Sequence, residues 1–301
     1  MKIVADGLTK TFREKTALKE ISLTVPQGAV FGLVGPNGAG KTTLIKIIMG
    51  LLQPTRGSVL IGGQPVHQDH RIKARVGYLA DYQRYYPGFK VKDMYRLYRE
   101  TYQKWSPERF EELRQVFNLP ENAQVKHLSK GMHTQLSIIL NLALKPELLV
   151  LDEPTAGLDP VIRRQFLSIL MDEVAENGTT VFISTHHLHE LERVCDHLAI
   201  VHEGRLIKSE SLEDLKKKVR KIQAAFAGPL PAEVLQKPGV LNVEQTGRVY
   251  SITVEEGLDE LAAELRQFQP LFLDFVDISL EEIFIHRMGG EGYGFKQILA
   301  P

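Results

Sequence analysis

The sequence has a single cysteine, no long apolar run and no excess of either charge. Cys195 cannot form an internal disulfide by itself, which indicates a reducing compartment. A membrane-spanning helix needs about 20 mostly apolar residues. The longest charge-free window, Ile21–Gly40, contains proline and several glycines, and residues 1–30 lack the apolar run of a secretory signal. We therefore expect a chain that does not cross a bilayer by itself.

The charges are balanced, with 37 Lys and Arg against 37 Asp and Glu. This balance leaves no whole-chain field to attract nucleic acid or an anionic membrane, so no nucleic-acid partner is expected. Hydrophobic residues make up 43% and charged residues 25%, as in ordinary soluble globular proteins. At 301 residues the chain is long enough for more than one domain.

Short apolar strands alternate with helical segments over most of residues 1–220, and this order predicts a parallel sheet covered by helices. Helical spacing dominates residues 85–145, which predicts a helical subdomain inserted into that α/β domain. Residues 221–288 read as four short strands with two short helices, a small α+β accessory domain. Residues 289–301 are glycine-rich, and we expect a flexible tail there.

Residues 32–43 read GLVGPNGAGKTT and contain the pattern G-x-x-x-x-G-K-[ST] at Gly35, Gly40, Lys41 and Thr42. The pattern follows an apolar strand and precedes a predicted helix, the context in which glycines let backbone N–H groups surround an anion. Lys41 can reach the β- and γ-phosphates, and the Thr42 hydroxyl can bind Mg²⁺. A glycine-rich turn with an incidental lysine does not account for both spacing and context. The loop predicts nucleoside triphosphate binding.

Residues 148–160 read LLVLDEPTAGLDP, an apolar strand that ends in two carboxylates. Asp152 would lie at the carboxyl edge of the sheet, where open α/β sheets bind ligands, and is the expected partner of Mg²⁺. Glu153 would point towards an attacking water as a general base. The alternative is an acidic pair that only caps the strand, but it does not account for the phosphate-binding loop found upstream in the same chain.

Three further stretches narrow the class of protein: LSKGM at 128–132, AGLDP at 156–160 and STH at 184–186. In their order and spacing, all five motifs together resemble the nucleotide-binding subunits of ABC transporters, over about residues 1–215. The resemblance implies a P-loop ATPase core with a mixed sheet, ATP and Mg²⁺ as cofactors, and a dimer around two ATP. The second copy would be identical or closely related. A separate integral membrane permease would hold the dimer at the cytoplasmic face of the cell membrane.

The resemblance also implies individual roles. Phe12 would stack on adenine, and Asp159 would lie in the loop that crosses the dimer interface. Ser129 and Gly131 would close on the γ-phosphate held by the partner. His186 would sense that phosphate and orient the water with Glu153, so Glu153, His186 and Lys41 are the predicted catalytic residues. The phosphate loop itself comprises Gly35, Pro36, Asn37, Gly38, Ala39, Gly40, Lys41, Thr42 and Thr43.

Two positions depart from the family pattern. Lys130 and Met132 replace a glycine and a glutamine of the usual LSGGQ, and Lys130 either adds charge near ATP or is a solvated surface lysine. The lid-loop glutamine that contacts Mg²⁺ aligns with Asp81, a hard oxygen ligand. Gln83 takes that part instead if the loop is two residues longer. Asp81 is the favoured metal ligand, beside Thr42 and Asp152.

Other segments carry weaker signals. His186, His187, His189, Cys195 and His197 suggest zinc, but the spacing fits a helix surface better. The aromatic segment DYQRYYPGF at 81–89 suits docking of a permease helix, packing within its own lobe, or single-stranded nucleic acid. LKKKVRK at 215–221 is either a lipid-contacting patch or a solvated helix face.

The sequence as a whole predicts an ATP-hydrolysing subunit that couples energy to a separate permease. The C-terminal segment ending in DISLEEIFIHRM (277–288) resembles the accessory region of bacterial export-type and antibiotic-resistance-type ABC ATPases, which favours export. The alternative is a soluble ABC-type ATPase that acts on ribosomes or DNA, although one cassette and balanced charge argue against it. A GTPase or kinase lacks support, since no N-K-x-D segment is present.

Overall fold

A computed structural model describes residues 1–66, 70–82 and 85–284. The chain forms two compact units: unit 1 comprises residues 1–187 and 194–209, and unit 2 comprises residues 188–193 and 210 onward. The expected tail at 289–301 and residues 285–288 of the expected accessory domain lie outside the described residues. Within the described ranges, no helix combines the length and the apolar character needed to cross a bilayer.

The elements up to residue 211 alternate as the sequence predicts. The strands are β1 (Ile3–Phe12), β2 (Lys15–Val25), β3 (Val30–Val34), β4 (Arg56–Ile61), β5 (Gln64–Pro65), β6 (Val76–Leu79), β7 (Leu148–Asp152), β8 (Thr180–Ser184), β9 (His197–His202) and β10 (Arg205–Ser211). The helices are α1 (Lys41–Ile48), α2 (His70–Lys73), α3 (Val91–Thr101), α4 (Pro107–Phe117), α5 (Lys130–Leu142), α6 (Pro160–Asn177) and α7 (Leu188–Val194). A 3₁₀ turn covers Val125–His127.

Six strands form the central sheet in the order β10-β9-β3-β8-β7-β6, and the pairs from β9 to β6 are parallel. All residues of β3, β7 and β8 are buried, as expected for parallel strands covered on both faces. Phe31 and Phe182 stack between neighbouring strands at 5.6 Å. Because parallel strands end at one edge, this sheet places the phosphate loop after β3 beside Asp152 at the end of β7.

A second, antiparallel sheet has the order β2-β1-β4-β5. Helix α1 contacts β2, β4 and β7, so it lies between the two sheets and buries Leu44, Ile45, Ile47 and Ile48. The mixed-sheet α/β fold is therefore confirmed. The sequence underestimated β1 and β2, because irregularities in their pairing around Ala5, Leu8 and Lys10 interrupt the two-residue alternation.

Residues 85–145 contain α3, α4 and α5, and α5 contacts α3, α4 and β6. Asn141 of α5 accepts a hydrogen bond from the Tyr78 backbone N–H at 2.9 Å, which ties the helix to β6. Arg109 of α4 pairs with the buried Glu173 of α6 at 2.7 Å. These contacts hold the helical segment against the α/β core.

Unit 2 contains α8 (Leu212–Lys218), β11 (Arg220–Ala225), α9 (Ala232–Leu235), β12 (Val240–Thr246), β13 (Val249–Val254), α10 (Leu258–Gln267) and β14 (Phe272–Val276). Its antiparallel sheet has the order β12-β13-β11-β14 around a separate apolar core. The basic segment 215–221 is helical only in its first part. Ser211 caps α8 by accepting from Asp214 N–H, so the helix begins earlier, and Arg220 already belongs to β11.

The lysines of α8 are neutralised by acidic neighbours. Lys216, Lys217 and Lys218 pair with Glu192, Glu213 and Glu210 respectively, at 2.5 to 2.7 Å. This pairing supports the solvated helix face over the lipid-contacting patch.

Candidate functional site

The phosphate loop requires glycine at two positions for steric reasons. A Cβ on Gly35 would lie 2.2 Å from the Val201 carbonyl oxygen. Gly40 has φ of 107°, and its Cβ would lie 2.7 Å from a methyl carbon of Leu18. The loop therefore keeps its backbone close to the sheet and leads directly into the N-terminus of α1. Free N–H groups at a helix N-terminus form a site for an anion.

Lys41 lies at the centre of this loop although its side chain is only 7% exposed. Its Nζ donates to the Gly35 carbonyl oxygen at 2.6 Å and lies 3.6 Å from Oε1 of Glu153. A buried ammonium needs such partners, and phosphate oxygens satisfy the same requirement. Lys41 thus joins the loop to the carboxylates at the end of β7.

Asp152 is buried and has one oxygen unused within the described part of the chain. Its Oδ1 accepts from the Ser184 hydroxyl at 2.7 Å, whereas Oδ2 has no hydrogen-bond partner among the described residues. A buried oxygen without a partner is costly, and a carboxylate oxygen is a preferred ligand of Mg²⁺. Thr42 lines the adjacent cavity. These residues fit the implied Mg²⁺.

Glu153 is held in an unusual backbone conformation with φ of 51°. Its N–H donates to the Ser184 carbonyl at 3.0 Å, and its Oε2 lies 2.8 Å from Nδ1 of His186. Left-handed φ in a non-glycine residue stores strain that is common at functional sites. The carboxylate therefore has Lys41 near one oxygen and His186 near the other.

A cavity of about 940 Å³ brings most of the predicted binding residues together. It is lined by Phe12, Pro36, Asn37, Gly38, Ala39, Gly40, Lys41, Thr42, Thr43, Asp81 and Glu153. The volume lies within the range of small-molecule sites. Phe12 is 45% exposed at this cavity, and Lys10 Nζ lies 5.1 Å from the centroid of its ring. The cavity offers an aromatic face at one place and a phosphate loop at another.

Several side chains at this site were missed by sequence reasoning. Glu14, Lys15, Thr16, Ala17, Lys19 and Glu203 also line the cavity. Because residues 14–19 follow Phe12 closely in the sequence, they could have been predicted to line the cavity. Glu203 reaches the cavity only because of the order of the strands in the sheet. Ser184 contacts both Asp152 and Glu153, and its place at the start of STH could have identified it.

Ser129, Gly131 and Asp159 do not line this cavity. Ser129 caps α5 by accepting from Met132 N–H at 3.2 Å, and Asp159 caps α6 through Val161 and Ile162 N–H. A Cβ on Gly131 would lie 2.5 Å from the Gly157 carbonyl oxygen. The signature segment, residues 128–132, therefore packs on the 156–160 turn and forms a second surface.

The aromatic segment after β6 contributes to a second cavity of about 660 Å³. Tyr85 stacks on His133 of α5 at 6.0 Å, while Tyr82 and Tyr86 are exposed. Burial raises the pKa of the Tyr85 hydroxyl well above its usual range. Gln83, the alternative lid-loop residue, and Arg84 lie outside the described residues. The segment therefore both packs within the lobe and presents aromatic surface.

The described residues do not support zinc. Among them, no group of three or more His, Cys, Asp or Glu side chains could hold a metal ion. Cys195 is buried, and burial raises the pKa of its thiol far above the usual range, which keeps it from becoming a thiolate.

Comparison with known proteins agrees with this geometry. A family model described as ABC transporter matches residues 18–156. The ABC transporter ATP-binding protein YtrB of Bacillus subtilis (strain 168) is 31% identical over 94% of this chain and 97% of its own length. The bacitracin transport ATP-binding protein BcrA of Bacillus licheniformis is 31% identical over 97% and 99%. A dimeric structure of a bacterial ABC transporter cassette has a TM-score of 0.62 at 25% identity, over 70% of this chain and 98% of that one.

The matching family model and a relative that is 31% identical over 94% of this chain together show which family the chain belongs to. It belongs to the ABC transporter family, as one of its ATP-binding ATPases.

Proposed function

We propose that the chain is an energy-coupling subunit in which each ATP is bound by the phosphate loop of one copy and the signature segment of another. One observation carries this proposal. The cavity that contains Lys41, Asp81 and Glu153 is lined without Ser129, Gly131 or Asp159, although all belong to one set of family motifs. A second copy supplies the missing side, which agrees with the dimeric cassette similar to this chain.

The roles within one copy follow from the contacts. Lys41 and the N–H groups of residues 38–42 bind the β- and γ-phosphates, and Phe12 stacks on adenine. Thr42, Asp152 and Asp81 would hold Mg²⁺, and the metal would supply positive charge that offsets the charge of the phosphates. Asp152 would contribute Oδ2, the oxygen that the Ser184 hydroxyl leaves without a partner among the described residues.

Hydrolysis is assigned to the pair formed by Glu153 and His186. Glu153 accepts a proton from the water that attacks the γ-phosphate, and its oxygen 2.8 Å from His186 Nδ1 fixes the orientation of the carboxylate. His186 is 53% exposed, so it can also contact a phosphate brought to it. Together the two residues link the presence of γ-phosphate to activation of water.

The transport partner is an integral membrane permease made of other chains, with this subunit at the cytoplasmic face of the membrane. Tyr82 and Tyr86 are exposed beside the second cavity, and exposed aromatic side chains are typical of interface cores. We assign this aromatic surface to a cytoplasmic segment of the permease. The similarity to a Nod factor export ATP-binding protein of Neorhizobium galegae supports export as the direction.

The test uses Glu153→Gln, with Glu176→Gln on the exposed face of α6 as a matched control. Removal of a general base costs about 10²- to 10⁴-fold in rate, so hydrolysis should nearly stop while ATP still binds. The variant should elute as a dimer with Mg²⁺ and ATP and as a monomer without them. Glu176→Gln should hydrolyse ATP at the parent rate. A Glu153→Gln chain that binds ATP and remains monomeric at every protein concentration would contradict the two-copy site.

A further inference from the structure

The positive charge of Lys130 is unfavourable for the stability of helix α5. Lys130 is the first residue of α5, where the helix dipole is positive and a cation is unfavourable. The first turn of α5 contains no acidic residue to offset it. Its stem crosses Gly157, since Lys130 Cγ lies 3.3 Å from where a Cβ on Gly157 would be. The lysine is thus directed across the 156–160 turn by packing.

The ammonium of Lys130 forms an ion pair with the carboxylate of Asp81. The Nζ to Oδ1 distance is 3.4 Å, and the two side chains are 59% and 52% exposed. Both residues stand where the family pattern has uncharged ones. Asp81 also lines the nucleotide cavity with Lys41, Thr42 and Glu153, and it lines the second cavity with Lys130. One carboxylate therefore belongs to both surfaces.

An exposed ion pair of this kind is easily exchanged. Such pairs contribute little to stability, because water solvates both charges and both side chains must be held in place. A divalent cation attracts a carboxylate more strongly than an ammonium does. A lysine that holds Asp81 is therefore a weak competitor of Mg²⁺ at the nucleotide.

We infer that Lys130 is a positioning residue for Asp81, and that the pair is exchanged when nucleotide binds with Mg²⁺. In the free chain Lys130 holds the Asp81 carboxylate at the signature segment. When nucleotide and Mg²⁺ bind, the Asp81 carboxylate would leave Lys130 to serve as a metal ligand, and the ammonium would remain unpaired with it at the N-terminus of α5. The consequence for the second copy rests on the function proposed above: the released charge is added where the signature segment meets the other triphosphate.

Competition between Lys130 and Mg²⁺ for Asp81 predicts the direction in which Mg²⁺-dependent binding changes when Lys130 is substituted. If Lys130 and Mg²⁺ compete for Asp81, removing the lysine charge must strengthen Mg²⁺-dependent binding and leave Mg²⁺-free binding unchanged. A lysine that only stabilises α5 would change both alike. A lysine that only attracts phosphate would weaken both when removed.

The experiment titrates Mg²⁺ into the full chain with a non-hydrolysable ATP analogue and follows analogue binding by calorimetry. Lys130→Met keeps the stem and removes the charge, so it should lower the Mg²⁺ midpoint by about twofold to fivefold. Lys130→Arg should restore the parent midpoint. Lys126→Met is the control, since Lys126 lines the same second cavity but forms no ion pair with Asp81. Its midpoint should equal that of the parent.

The decisive comparison repeats the Lys130 substitution in a chain that also carries Asp81→Asn. There Lys130→Met should leave the Mg²⁺ midpoint unchanged, because the competition has been removed. An equal effect of Lys130→Met with and without Asp81, or an equal effect with and without Mg²⁺, would overturn the inference. The Mg²⁺ midpoints are measured at a protein concentration low enough for the chain to stay monomeric, whereas the two-copy site is judged by the dimerisation of Glu153→Gln, so the two proposals can fail separately.

Discussion

Two helix N-termini in unit 1 carry the phosphate loop and the signature segment, and they differ in what surrounds them. Helix α1 begins after the glycine loop, where Lys41 is buried and contacts both a loop carbonyl and Glu153. Helix α5 begins at the signature segment, capped by Ser129, with Lys130 extending over half-exposed surface to Asp81. Both ends offer free N–H groups to an anion.

The difference lies in the chemistry beside each helix. The first N-terminus has the Lys41 ammonium and, close to it, the carboxylate of Glu153, which follows Asp152 at the end of β7. Among the described residues, the second packs on the 156–160 turn and lies near Asp81, and it contributes no residue to the nucleotide cavity. One end is a nearly complete site and the other is a half-site, which is why the proposal needs two copies.

Mixing two defective variants tests this comparison with the largest expected effect. Lys41→Ala damages the first N-terminus, and Gly131→Asp damages the second with a clash at Gly157 and a negative charge. Each alone should lose ATP hydrolysis by about 10²-fold or more, since phosphate contacts and closure are both needed. Mixed chains should regain activity, because one of the two sites in a mixed dimer combines an intact loop with an intact signature segment.

The regained rate should approach half the parent rate in the dimers that are mixed, measured by phosphate release over a range of ratios. Thermal unfolding of each variant serves as the control for folding. A mixture no more active than its separate components, with both chains folded and able to associate, would mean that both N-termini serve a site within one copy.

Ser184→Ala examines the first N-terminus alone. Loss of the hydroxyl leaves Oδ1 of Asp152 without its 2.7 Å hydrogen bond, so the carboxylate is no longer oriented for Mg²⁺. Partners of metal ligands typically contribute about 10- to 100-fold in metal affinity or activity. The Mg²⁺ concentration for half-maximal hydrolysis should rise, and Ser184→Thr should recover part of it. An unchanged Mg²⁺ requirement would remove Ser184 from the account.

The sequence predicted the core of this arrangement well because its signals are local. The strand before Gly35, the helix after it and the strand ending in Asp152 are continuous patterns of apolar residues. The contacts of Ser184 with Asp152 and of Glu203 with the cavity depend on the order β9-β3-β8-β7, which no single segment encodes. The pair of Lys130 and Asp81 was missed for the same reason. It joins residues 49 positions apart on different elements.

Phe12→Ala tests the far end of the first site with a smaller effect. If the ring stacks on adenine, its removal should weaken ATP binding by about tenfold, within the range found for base stacking on aromatic side chains. Phe12→Tyr should bind ATP like the parent. Inorganic tripolyphosphate has no base, so its affinity should be the same for all three proteins. A parallel loss for tripolyphosphate would show that Phe12 shapes the loop instead.

The smallest expected effect concerns the scaffold that both regions share. Asp81 follows β6 and Asp152 ends β7, and at the other end of these strands Glu147 pairs with Arg75 and with Lys104. The two cations lower the pKa of Glu147 to about 2. A lowered pKa means that the ionised form stabilises the fold, so this contribution is complete above about pH 4.5 and is lost as the pH falls towards 2.

Glu147→Gln should reduce the free energy of unfolding by about 1 kcal/mol at pH 7, since partial exposure screens the pairs. The difference from the parent should shrink between pH 4.5 and pH 2, as measured by urea unfolding at several pH values. Glu176→Gln should show no such trend. Because Glu147 lies at the opposite end of the strands from both N-termini, ATP affinity at pH 7 should be unchanged. A fall in affinity together with stability would mean that the spacing of β6 and β7 sets the position of Asp81 against Asp152, and that the two regions are not independent.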